Sequence, residues 1–187
     1  MRMAPFRSAH VLFALVVVLE AHSVGAETPK IVQDAASASV TNLQVLSPGE
    51  NESSLRWASW MTGSQPGPHA VWLALLLREH KTPRTVWSTS RADGYLPKID
   101  MIFNWQYSGK PTLLFTYQMG AEAQELELYG LDASNNPILI GRASAAAFFP
   151  AYRGEFFIDA QGLLNESDAC LFFDRTTPKL ISKGCPY

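Results

Sequence analysis

The hydrophobic positions of the chain fall in short runs separated by polar turns, and from Leu55 onward most runs have the length of a strand. TLLFTYQ, ELELYGL and PILIG follow one another between Gly109 and Gly141, joined by segments holding Gly, Asn, Asp and Ser. Aromatic and aliphatic runs at that spacing, with turn residues between them, predict antiparallel strands. VWLALLL, residues 71–77, is continuously apolar. Its Val and Trp and the bounding Pro68 and Pro83 favour a strand buried on both faces over the start of a helix. ELELYGL alternates Glu125 and Glu127 with Leu126 and Leu128, which predicts one face turned to water. ADGY marks a tight turn at Asp93 and Gly94. IDMIFNW, EFFIDA, ACLFFD and PKLIS add further strands, while RASAAAFF carries enough Ala to favour a short helix over an edge strand.

The runs suggest a repeating unit. Gly67, Gly109 and Gly154 each precede an apolar strand, 42 and 45 residues apart. LYGLDASNNPILIG and CLFFDRTTPKLISKG share a strand, an Asp, a polar turn, a Pro and a second strand, with Pro137 and Pro178 41 residues apart. A unit of three or four strands at this period has the size of a propeller blade. Leu55 to Lys183 resembles propeller-blade patterning in general, without the Gly-His and Trp-Asp signatures of a particular family. Three units are fewer than the roughly four to eight blades of a closed propeller. The expected fold is therefore all-β, a small antiparallel domain of about three successive meanders, blade-like and incomplete. A β-sandwich is the alternative.

The N-terminus reads differently. MRMAPFR places Arg2 and Arg7 before the apolar run VLFALVVVL, and VGA ends in small residues at Val24 and Ala26. That order predicts a secretory signal peptide over residues 1–26. The run is too short to span a membrane, so no stable anchor is expected after cleavage. Residues 27–50 read as a flexible N-terminal segment, within which TNLQVL has the pattern of a short strand, and 51–187 as a single β domain. Removing 26 of 187 residues leaves 161, with 13 basic and 16 acidic side chains, a net charge of −3. No basic face favours nucleic acid as a partner. The expected location is secreted or periplasmic, where Cys170 and Cys185 should form a disulfide.

Candidate chemistry is sparse. After the leader the chain holds two histidines, His69 and His80, both in turn-like settings, and no G-x-S-x-G. Asp100, Asp132, Glu155, Asp159 and Asp174 could supply paired carboxylates for glycoside hydrolysis. Asp132 and Asp174, however, each follow a strand and suit a turn role. DASNN lacks the Gly and Glu of a calcium loop, so no metal and no cofactor is expected. The five tryptophans all lie between residues 57 and 105. Most suit a core, but Trp57, Tyr95, Trp105 and Tyr107 are the candidate exposed rings for a glycan or protein ligand. Asn51 and Asn165 begin N-x-[ST] sequons, acceptors if the source is eukaryotic. Together these features point to a non-enzymatic binding or interaction module, with self-association through an open sheet edge. A carboxylate-dependent hydrolase acting on extracellular glycans is the alternative.

Overall fold

The computed structural model describes residues 40–48, 55–63, 69–79, 82–121, 123–162 and 169–186. They form twelve strands and, among the described residues, no helix. The first sheet holds β1 (Val40–Leu46), β2 (Leu55–Gly63), β3 (His69–Glu79) and β4 (Thr82–Ala92). The second holds β5 (Gly94–Tyr107), β6 (Lys110–Met119), β7 (Ala123–Leu131) and β8 (Pro137–Ala145). The third holds β9 (Ala147–Tyr152), β10 (Phe156–Gln161), β11 (Ala169–Asp174) and β12 (Lys179–Gly184). Every strand pairs antiparallel with its sequence neighbour inside its own sheet. The fold is thus three successive four-stranded meanders, open and not closed into a barrel, without the crossings of a Greek-key sandwich.

The sheets stack, and the second lies in the middle. Side chains alternate across a strand, so β6 sends Leu113, Phe115 and Tyr117 one way and Leu114 the other. The first set packs with Trp57, Leu73 and Leu75 of the first sheet. Leu114 packs with Leu126, Leu128, Ile158 and Leu171, in a core shared with the third sheet. This middle position overturns the reading of ELELYGL as a strand with one wet face. Glu127 and Leu128 are both buried, because both faces of β7 meet another sheet. RASAAAFF is not helical either. It is the end of β8, a one-residue corner at Ala146, and the start of the edge strand β9.

The predicted boundary at residue 51 also moves. β1 is hydrogen-bonded to β2, so residues 40–46 belong to the first sheet and not to a flexible segment. Gly109 and Gly154 occupy the turns before β6 and β10, with φ of 76° and 72°, a conformation that glycine adopts without steric cost. These two turns are equivalent, since β6 and β10 are each second in their sheet. The strands at Val71, Leu113 and Phe156 are all interior, but β3 is third in its sheet. The 42-residue spacing therefore pairs non-equivalent strands, and β2 is the positional counterpart of β6. Gly67 itself lies outside the described residues, as do residues 1–39 and His80. Cys170 and Cys185 are bonded, with Cα atoms 5.0 Å apart, fastening the end of the chain to β11.

Candidate functional site

The four rings expected on one exposed face do not share a face. Trp57 is 1% exposed and lies in the core between the first and second sheets, edge-on to Trp87 at 6.1 Å. Trp105 is 3% exposed, stacked on Phe173 at 6.0 Å and edge-on to Phe156 at 5.1 Å. Both are corrected from exposed rings to core. Tyr95 is half-buried and its hydroxyl donates to the carbonyl of Gly120. Tyr107 is half-buried against Gly130, where a Cβ would stand 2.6 Å from the tyrosine's Cβ and Cγ. The large exposed rings are others: Phe103 at 61%, Tyr152 at 66% and Phe149 at half.

Phe103 and Trp105 lie in an irregular part of β5. Its pairing with β6 shifts between Ile102 and Gln106. A bulge of this kind breaks the two-residue alternation and re-aims side chains. Ile102 and Trp105, three apart, consequently both face the core shared with the third sheet, and Phe103 turns outward. Beside it lies an open groove of about 320 Å³ between β5 of the second sheet and β9 and β10 of the third. Met101, Ile102, Phe103, Leu114, Pro150 and Phe156 give it an apolar lining. Lys98 and Asp100, paired at 2.9 Å, and Asn104 are its polar members.

The strands that frame the groove are tied at their outer edges by side chains. The Gln44 carboxamide accepts the Ile99 N–H at 2.9 Å, and Gln124 accepts the Phe148 N–H at 3.0 Å. Arg175 donates to the Asn104 carbonyl at 3.2 Å. These bonds satisfy strand-edge groups that would otherwise be open to pairing. They hold the groove walls in place and leave its apolar lining as the accessible feature.

A second cluster was missed by sequence reasoning. Glu127, 1% exposed, receives Arg91 through two bonds, Nε to Oε1 at 2.8 Å and Nη2 to Oε2 at 2.9 Å. The hydroxyls of Tyr129 and Tyr117 donate to it at 2.6 and 3.2 Å, and Arg142 stands at 3.3 Å. Burial works to raise the Glu127 pKa. The bonds from Arg91 and Tyr129 and the charges of Arg91 and Arg142 outweigh it and hold the carboxyl below its usual range. Burial and then the neighbouring carboxylate push Tyr117 up to about 12 and Tyr129 upward as well. The carboxylate is saturated with donors, which suits a fixed charge and not a proton carrier. No local spacing in the sequence links Arg91 to Glu127, 36 residues on.

Among the carboxylates considered for hydrolysis, Asp100 pairs with Lys98, and Asp132 and Asp174 are engaged in turns. Asp132 accepts the Ser134 and Asn136 N–H groups, and Asp174 accepts Thr176 and Thr177 N–H groups and the Thr177 hydroxyl. Both are held below the usual carboxylate range by these bonds, first from Asn136 and Thr177, respectively. Their predicted turn role is what the geometry presents. Glu155 and Asp174 line a shallow depression of about 540 Å³ beside Arg175 and Lys183, but a general acid there needs a raised pKa, the opposite of the Asp174 shift. Asp159 lies with the sulfurs of Cys170 and Cys185, all within 4.8 Å, yet those sulfurs are bonded to each other. Asn51 and Asn165 lie outside the described residues. Comparison with family models, curated proteins and solved structures found no match.

Proposed function

We propose that the protein is an exported, non-enzymatic binding module that takes a large apolar side chain of a protein ligand into the groove between β5 and β9. The observation that carries this reading is Phe103, 61% exposed, standing beside an open apolar groove. An exposed aromatic next to a concave apolar surface is a common anchor geometry for protein recognition. Sugar rings need many hydrogen-bonding groups around a flat ring. This groove offers three polar residues, two of them paired to each other, against six apolar ones. That balance favours a peptide side chain over a glycan. The Cys170–Cys185 bond is of the kind that persists in oxidising compartments, which supports export.

The test uses the exported protein and its Phe103→Ser variant, both challenged with a displayed library of random peptides and with a glycan panel. The reading expects peptides carrying a large apolar residue to be selected and to be lost with Phe103→Ser, while circular dichroism of the two proteins stays the same. Glycan binding alone, or peptide binding indifferent to the substitution, contradicts it.

A further inference from the structure

The two interfaces of the stack differ in charge. Between the second and third sheets the packed core includes Trp105, Leu126, Ile158 and Phe173, with Thr112 and Thr116 buried on the Leu114 face of β6, and among the described residues no charged side chain is buried there. Between the first and second sheets an equally apolar core borders one buried carboxylate, Glu127. Its principal partner, Arg91, comes from β4 of the other sheet. From the geometry we infer that Glu127 is an acid-sensitive lock, tying the first sheet to the second, and that its protonation loosens the first sheet while the second and third stay packed.

Every charged or titratable neighbour points to the same behaviour. Arg91 on β4 supplies the cross-sheet bonds, and its remaining Nη1 is held by Thr89 and the Ser90 carbonyl, which fixes the guanidinium toward Glu127. Tyr117 on β6, Tyr129 on β7 and Arg142 on β8 all belong to the second sheet and fix the carboxylate from its own side. Glu125, also on β7, acts on Tyr117 only through its charge. A proton on Glu127 cancels the attraction to Arg91 and converts one acceptor into a donor facing a guanidinium that has nothing to accept with. Arg142, more than half exposed, can turn to water. Arg91, largely covered and held by Thr89, loses its charged partner in place and keeps across the sheets a bond to the Tyr129 hydroxyl at 3.3 Å, so the cost falls on the contact between sheets. Among the described residues the third sheet places no charge in this cluster, so the change acts on the contact between the first and second sheets.

The sign follows from linkage. The folded carboxyl lies below the ordinary value of 4.5, so the lock is fully present above that pH and is lost as pH falls toward the folded value. One proton changes the opening equilibrium by about tenfold per pH unit within that window.

Hydrogen exchange followed by mass spectrometry, corrected for the intrinsic pH dependence of exchange, reads the two interfaces separately. The expectation is that amides of β2–β4 lose protection by about tenfold per unit below the ordinary glutamate range, while β10 and β11 keep theirs. Glu127→Gln should remove this pH dependence from β2–β4. Should that variant fail to fold, Arg142→Gln, an exposed change, keeps the test open. It removes a charge that lowers the Glu127 pKa, so the loss of protection should begin at a higher pH. Simultaneous loss in all three sheets, or an onset unchanged in Arg142→Gln, overturns the inference.

Discussion

Arg91 and Glu127 join the first and second sheets by two parallel bonds, 2.8 and 2.9 Å long, from a guanidinium on β4 to a carboxylate on β7. Two-pronged pairs of this kind fix orientation as well as distance. Their net worth depends on what is left behind. Removing only Arg91 takes the bidentate partner from a carboxylate that is 1% exposed and leaves it the mostly exposed Arg142 and two tyrosine hydroxyls. Arg91→Ala is therefore expected to cost about 3 kcal/mol. Arg91→Met combined with Glu127→Met should be less destabilising than Arg91→Ala, because no charge stays buried without its partner. Urea unfolding of the single and double variants checks this. A double variant weaker than the single would show that the pair contributes more than its own desolvation costs.

Much of the fold is legible in the residues, and the places where it is not share a cause. VWLALLL announces a strand covered on both sides, and β3 is one. Asp132 and Asp174 announce turns, and both carboxylates bind turn amides. ELELYGL obeys the same alternation rule but cannot say what its charged face meets. Glu127 is buried by a sheet whose matching arginine lies 36 residues earlier. Trp57 and Trp60 are three apart and so point to opposite faces, which suggests that one is exposed. Both are buried, Trp57 by the stacked second sheet and Trp60 on the other face by its own sheet, where it stacks on Trp72 and packs with Leu76. In IDMIFNW, Ile102 and Trp105 share a core face only because a bulge interrupts the alternation, and a bulge leaves no composition mark of its own.

Gly141 on β8 lets the second and third sheets approach closely. A Cβ at that position would stand 2.6 Å from the Leu180 Cβ on β12. Gly141→Ala is expected to destabilise by about 1–3 kcal/mol through overpacking. Leu180→Ala should not rescue it, since alanine keeps the offending Cβ, whereas Leu180→Gly should relieve the contact. Thermal melts of the three combinations distinguish a steric cause from a general loss of packing.

The disulfide closes a loop of 15 residues that already pairs as a hairpin from Ala169–Gly184 to Asp174–Lys179. In the chain-entropy model such a loop is worth about 3 kcal/mol, acting on the unfolded chain. Cys170→Ser with Cys185→Ser should lower the denaturant midpoint accordingly and leave β11–β12 pairing intact. A free-thiol assay on the native protein should find none.

Phe103 contributes little to the core, being mostly in water. Phe103→Ser is expected to change unfolding free energy by no more than about 0.5 kcal/mol, and to abolish ligand capture. A large loss of stability would assign the ring to packing and remove the support for a binding role.

Amide chemical-shift mapping of a selected peptide on the isotopically labelled protein tests the proposed groove most directly. The proposal predicts shifts concentrated at residues 98–104 and 150–156, with the Trp57 indole unmoved in its core between the first and second sheets. Shifts confined elsewhere, or none at saturating peptide, would contradict it.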